Sequence, residues 1–228
     1  MVSHLRDKAG LEIGGPSRIF SKGHLIPVYN LCAQVDNCSF ASQTIWSTAF
    51  RDQEFDRRIG YRFVIEASDL SSLPDDKYDF VLASHALEHI ANPLRALQEW
   101  QRVLKPGGVL LVIVPDKRKT FDHKRPFTTI EHLESDFQLN TEEDDLTHVG
   151  EVLALHDLSL DPLAGSQEQF RDRCLRNRCF RGMHHHVYSS EVLSLMLQRS
   201  NMRVLSVAVE CPYHLVAFAQ KVRAQFSN

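Results

Sequence analysis

Three titratable residues fall close together near the middle of the chain: His85, Glu88 and His89, at i, i+3 and i+4. On a helical turn that spacing puts all three on one face. An imidazole with a near-neutral pKa suits the removal of a proton from an acceptor hydroxyl, which makes His85 and His89 candidate bases. The plainer alternative has Glu88 and His89 anchoring the start of the helix that follows. A basic run, Lys117, Arg118, Lys119, His123, Lys124 and Arg125, is interleaved with Phe121 and Phe127. It reads either as a solvated loop or as a face for an anionic or sugar-like acceptor, with His123 as a further candidate base. His184, His185 and His186 come in succession before Val187 and Tyr188. Alternate side chains of an extended segment point to opposite sides, so the three cannot all face one ion. Packing of a loop or cap, contact with an acceptor and metal binding by fewer than all three are the competing readings.

A second constellation lies near the start. Leu11, Glu12 and Ile13 read as a strand ending in the turn Gly14, Gly15, Pro16, Ser17. Glycines there let the backbone approach a ligand that a Cβ would repel, and the carboxylate can hold loop amides or an ammonium group. The dinucleotide fingerprint GxGxxG is absent, which argues against a nicotinamide enzyme. Asp36 follows the apolar run Ala33 to Val35, and Asp69 follows Ala67 and Ser68. On their own both read equally as loop or turn-capping aspartates.

Short apolar runs must position these groups: Leu11 to Ile13, Ala33 to Val35, Phe63 to Ala67, Phe80 to Ala83 and Val109 to Val114. Runs apolar at consecutive positions suit strands buried on both faces of a mostly parallel sheet. The clearest helix is Asn92 to Leu104, with Asn92 as cap, Pro93 at the first position and Leu94, Leu97, Trp100 and Val103 on one face. Lys105, Pro106, Gly107 and Gly108 then break it. Near the end, a helix from about Ser190 to Ser200 leads to Arg203 to Val209 and His214 to Ala219. So short a link between two strands requires them to be antiparallel. The stretch from about 117 to 186 leaves this rhythm, with amphipathic segments Thr129 to Phe137, Glu142 to Leu155 and Ser166 to Arg176. Placed after a strand's carboxyl end, it would lie over the ligand-binding edge of an open α/β sheet.

Tyr78 to Pro93, YDFVLASHALEHIANP, followed by RVLKPGGVLLVIVP from Arg102 to Pro115, closely resembles class I S-adenosylmethionine-dependent methyltransferases of the small-molecule and ubiquinone-biosynthesis type. Pro115 to Leu133 and His184 to Leu193 resemble a bacterial methyltransferase subgroup with no assigned acceptor. The resemblance implies an α/β, Rossmann-like, doubly wound seven-stranded mixed sheet with an antiparallel C-terminal hairpin and an inserted helical cap. The core would be residues 9–116 and 187–222 of a single domain. It implies S-adenosylmethionine as cofactor, with Glu12, Gly14, Gly15, Pro16 and Ser17 in the first motif. Asp36 would stand at the end of the second strand, accepting the ribose hydroxyls. Ser68, Asp69 and Leu70 would lie around the adenine, and Ser84 at the edge of the fourth strand. Pro16 and Arg18 stand where the family usually has further glycines. In ubiquinone-type relatives the positions of His85, Glu88 and His89 resemble a metal triad, but His85 replaces a carboxylate, and no metal is assigned. The expected reaction is methyl transfer to oxygen, less readily nitrogen, of a small-molecule or glycan acceptor. The alternative is a non-catalytic binding module on the same fold.

Composition is consistent with this. The 228 residues are 43% hydrophobic and 24% charged, with a net charge of −3. One α/β domain is the expectation at this length, and neither the charge nor its distribution favours nucleic acid. No stretch approaches the roughly 18 apolar residues of a bilayer span. Five cysteines without a CxxC pair suit reduced thiols, so a cytoplasmic location is expected.

Overall fold

A computed structural model describes residues 1–44 and 59–222. Seven strands form one sheet: β1 Ala9–Ile13, β2 Gln34–Ser39, β3 Ile59–Val64, β4 Tyr78–Ser84, β5 Leu104–Pro115, β6 Met202–Glu210 and β7 His214–Lys221. Their order across the sheet is β3-β2-β1-β4-β5-β7-β6. The first five pair in parallel, and β7 lies antiparallel to both β5 and β6. The helices are α1 Val2–Leu5, α2 Pro93–Val103, α3 Ile130–Gln138, α4 Val149–Leu155, α5 Gln167–Leu175, α6 Asn177–Phe180 and α7 Ser190–Arg199. This is the mixed, Rossmann-like sheet expected from the run pattern, with the terminal hairpin in place.

Alternate residues of the central strands feed two cores, as the two-residue period of a strand requires. Leu11, Val81, Val112 and Val114 pack with Leu97 and Trp100 of α2 and Leu193 and Met196 of α7. Phe80, Leu82, Leu111 and Ile113 face Phe20, Val28, Tyr29 and Val35 instead. The second face is therefore covered partly by single 3-10 turns, at Arg18–Phe20 and Val28–Asn30, rather than by a long helix.

Helix α2 begins where Asn92 Oδ1 accepts the amide of Arg95 at 3.1 Å. It stops at Val103, and the KPGG segment enters β5 directly as an irregularity between the pairs Tyr78↔Leu104 and Phe80↔Val109. Two expected boundaries are corrected. The second strand does not end at Asp36 but continues to Ser39, because Asn37 and Cys38 still pair with Glu12 and Ile13 of β1. The third strand stops at Val64, after which the chain turns back, with Asp69 N donating to Glu66 O.

Residues 117–186 hold α3 to α6 and gather a small apolar cluster of their own, with Val149, Val152, Phe170, Cys174 and Met183. The expected helix over Glu142 to Leu155 is shorter: only Val149–Leu155 is helical. The acidic stretch Glu142 to Asp145 would crowd like charges on one turn. Asp145 instead accepts the amide of Thr147 at 3.2 Å, and Glu143 reaches Arg181. The two ends of this cap are held together by Arg125, which is fully buried. Its guanidinium donates to the carbonyls of His184 and His185 at 2.9 and 3.0 Å and pairs with Asp122 and Glu151. Among the described residues no helix is long and apolar enough to cross a membrane.

Candidate active site

A cleft of about 1250 Å³ opens at the carboxyl ends of β1, β4 and β5, where an open α/β sheet binds ligands. Its floor is the turn after β1. Gly14 has φ +76°, a left-handed conformation that disfavours other residues. Gly15 rests directly on the Glu12 carboxyl, and a Cβ there would also stand 2.5 Å from Asn37 Oδ1. Glu12 is fully buried. Tyr29 donates its hydroxyl to Glu12 Oε2 at 2.6 Å and accepts the Ser17 amide at 2.9 Å, so the phenol ties the loop to the carboxyl beneath it. Burial pushes the Glu12 carboxyl up to about 7, against the pull of its Ser17 and Tyr29 hydrogen bonds.

The other wall is the segment after β4. His85 has φ +51°, and its amide donates to Ile113 O, which fixes the ring at the cleft edge. Its Nδ1 is 3.4 Å from Glu88 Oε1 and its Nε2 is 3.0 Å from His214 Nδ1. Glu88 lies on the 3-10 turn Leu87–His89, and neither of its carboxylate oxygens has a hydrogen-bond partner among the described residues. Burial opposes its charge, yet His85, His89 and His184 around it hold the carboxyl below its usual range. His214 reaches this place because β7 runs antiparallel to β5, setting His214 opposite Pro115.

His89 also lines the cleft, but its Nδ1 is engaged with Met183 O at 3.1 Å, and burial pushes its ring down to about 4. His184 packs edge-on against His89 and sits 2.5 Å from Asp122. Burial disfavours its charge, but the Asp122 carboxylate outweighs that and raises it.

Gly14, Gly15, Pro16, Ser17, Ser84, His85 and His89 thus converge on one cleft, with Glu12 beneath the floor. Besides Glu12, four expected cofactor residues do not line it. Asp36, three residues short of the strand end, accepts Tyr78 Oη–H at 2.9 Å, Gln34 Nε2 at 2.7 Å and the Tyr61 amide at 3.0 Å. Asp69 is exposed and accepts the Ser71 amide at 3.1 Å, Leu70 is in the core, and of that motif Ala67 reaches the cleft while Ser68 does not. His123 is likewise outside it, its Nε2 3.2 Å from Asp157. The residues missed from the sequence are His214, Tyr213 and Tyr29. The first two arrive through the register of the hairpin, and the third lies in an irregular segment that carries no period.

The sheet order, the glycine turn over Glu12 and the cleft above it define the class I methyltransferase plan. A family model described as a methyltransferase domain matches residues 4–207, and the chain belongs to that family. It is similar to a sterol 4-C-methyltransferase, strm-1, of Caenorhabditis elegans, at 36% identity over 80 residues, 33% of this chain and 24% of that one. It is similar also to the ubiquinone/menaquinone biosynthesis C-methyltransferase UbiE of Hydrogenovibrio crunogenus, at 39% over 51 residues, 22% and 20% of the two chains. The matched segments span about a quarter or less of these relatives. Among solved structures, an S-adenosylmethionine-dependent methyltransferase from Mesorhizobium loti superposes with a TM-score of 0.56 at 14% identity, covering 95% of this chain and 92% of the other. One from Aquifex aeolicus gives 0.54 at 15%, covering 97% and 86%. At these identities the structures establish the shared fold.

The chain therefore carries a methyltransferase domain, and the solved structures named above that share its fold are S-adenosylmethionine-dependent. The residues present fit that donor. Gly14 and Gly15 line the cleft without side chains, so a ligand can approach the backbone there, and the Glu12 carboxyl lies beneath them where a cation would favour its charged form.

Proposed function

We propose that the protein methylates an oxygen of a small polar or glycan-like acceptor, with His85 as the base. The observation that carries this reading is the Glu88–His85–His214 series: a buried carboxylate at 3.4 Å from one imidazole nitrogen, and a second imidazole at 3.0 Å from the other. When bound, S-adenosylmethionine supplies an electrophilic methyl group. The protein's own groups orient the acceptor and take its proton. His85 receives that proton at Nε2, beside His214, and Glu88 balances the positive charge that develops on the imidazole. Gly14 to Ser17 hold the donor side, and most of the rate then comes from bringing two reactants into register.

The acceptor side is supplied by the cap and the hairpin. Phe121 and Tyr213 offer aromatic faces, and Arg173 with Asp161 and Arg181 with Glu143 offer paired charges around them. Flat apolar faces with convergent polar groups suit a ring-shaped, hydroxylated molecule. A carbon acceptor is the second reading, because both curated relatives named above are C-methyltransferases. A base is required there too. The test is to supply S-adenosylmethionine with hydroxylated small molecules and oligosaccharides, follow S-adenosylhomocysteine release and assign the product by NMR. An O-methyl signal from the wild type, lost in His85→Ala, supports the oxygen reading. A C-methyl or N-methyl product overturns it.

A further inference from the structure

On the far side of the His184–His186 strap from the cleft, four side chains converge: His132 and Asp136 of α3, His148 just before α4, and His186 of the strap. One ligating atom from each lies within 4.8 Å of the other three. His132 Nε2 is 2.9 Å from His148 Nε2 and 3.2 Å from Asp136 Oδ2, and His186 Nε2 is 3.8 Å from the same oxygen. In a tetrahedral site with bonds of about 2.0–2.1 Å, ligand atoms stand roughly 3.3 Å apart, the middle of this range.

The polar groups are left incomplete in a consistent direction. Asp136 Oδ1 accepts Thr141 Oγ1–H, but the other oxygen, Oδ2, is buried without a hydrogen-bond partner and faces three imidazoles. His148 Nδ1 is turned to Asp145 Oδ2 at 3.2 Å, which leaves Nε2 toward the cluster. His186 is buried; its Nε2, 3.8 Å from Asp136 Oδ2, is also 3.1 Å from Ala91 O, and its Nδ1 has no hydrogen-bond partner among the described residues. A buried carboxylate oxygen and imidazole nitrogen left open are costly unless something satisfies them. A carboxylate or carbonyl behind a ligating imidazole is the usual support of a metal-bound histidine.

We propose that His132, Asp136, His148 and His186 form a four-coordinate site for a divalent transition metal, zinc by its donor set, that fastens the cap to the strap. Three imidazoles and one carboxylate suit zinc, whereas magnesium and calcium prefer six or more oxygens. Four protein ligands close the coordination shell, so the ion is structural. It ties α3 and the segment before α4 to the strap whose other side, through His184, lines the cleft. The site is separate from that cleft and does not depend on which acceptor is methylated.

The experiment is metal analysis of the purified full chain, followed by calorimetric titration of chelator-treated protein with Zn²⁺ alone, with Mg²⁺ as control. One equivalent of Zn²⁺ should bind with a Kd below roughly 1 µM, with no saturable Mg²⁺ binding. Affinity should fall at least about 100-fold in Asp136→Asn and in His132→Ala. His132 is exposed, so its variant keeps the fold, as unchanged circular dichroism of the chelated forms would show. The tetrahedral shell should give Co²⁺-loaded protein the intense visible bands of four-coordinate cobalt, absent in both variants. Glu88→Gln, which alters the Glu88, His89 and His184 group in the cleft, should retain the equivalent. Zn²⁺ binding weaker than that, unchanged in both cap variants, or abolished by Glu88→Gln, would overturn the assignment.

Discussion

Gly15 lies on the Glu12 carboxyl so closely that the smallest side chain has no room between them. The fit couples the loop proposed to hold the donor to a group that has no direct contact with the cleft. Gly15→Ala must displace either the loop or Glu12, whose own position is fixed by Tyr29. The expected outcome is a loss of S-adenosylmethionine affinity of at least about 100-fold in calorimetry, since a misplacement of about 1 Å suffices for an effect of that order. Retained affinity would place the donor elsewhere.

Glu12 also gives the fold a pH dependence. Its carboxyl sits at about 7 in the folded chain, against 4.5 as its ordinary value, chiefly through burial. A raised folded value means the contribution is complete below about 4.5 and is lost as pH rises toward 7. It amounts to about 3 kcal/mol over that window. Glu12→Gln cannot titrate, so urea denaturation between pH 4.5 and 7.5 should show stability falling relative to the variant as pH rises. Parallel pH profiles would contradict the burial argument.

His85→Ala should lower kcat by about 10² to 10⁴ and leave donor affinity within twofold, because the ring acts on the acceptor's proton. Glu88→Gln should reproduce part of that loss by removing the charge behind the imidazole. Single-turnover kinetics at saturating donor distinguish the two. A normal kcat in His85→Ala would remove it from the reaction.

Arg125 is buried among Asp122, Glu151 and two strap carbonyls. Arg125→Met leaves the Asp122 charge buried and loosens the His184–His186 strap from the rest of the cap. Removing one partner of such a network costs about 3–5 kcal/mol. Urea denaturation should show that loss, and limited proteolysis should cut first between residues 117 and 186.

Asp36→Asn should act on stability rather than on the donor. Its carboxylate is taken up by Tyr78, Gln34 and the Tyr61 amide. The variant should lose about 1–3 kcal/mol of unfolding free energy with unchanged S-adenosylmethionine affinity. A weakened affinity at constant stability would restore the carboxylate to the cleft.

The contrast between Asp36 and Asn92 shows what a sequence reading can reach. Asn92 and Pro93 announce α2 because capping chemistry is local, and the apolar period behind them is unbroken. The family resemblance sets Asp36 at a strand end, and the run before it, Ala33 to Val35, stops there, with the polar Asn37 and Ser39 beyond. In the sheet they continue β2, since hydrogen bonding to β1 on one side and β3 on the other outweighs their weak strand preference. His85, Glu88 and His89 were legible as a group because three and four residues separate them. His214 was not, being 129 residues from the ring it touches. The role of Glu12 as a support for Ser17 was hidden for the same reason, its mediator Tyr29 lying in an irregular segment. Local grammar gives caps and turns, whereas the partners of a buried charge depend on register.

After β5 the chain returns to the sheet only at β6, with the whole of 117–186 and α7 between the two strands. The turn after β1 and the end of β4, which we propose hold the donor, lie outside that interval. On that proposal, exchange of the inserted stretch would replace the cap's share of the cleft wall, Phe121, Asp161 and Arg173 among it, while Gly14 to Ser17 are inherited intact, which gives this scaffold a modular route to new substrates.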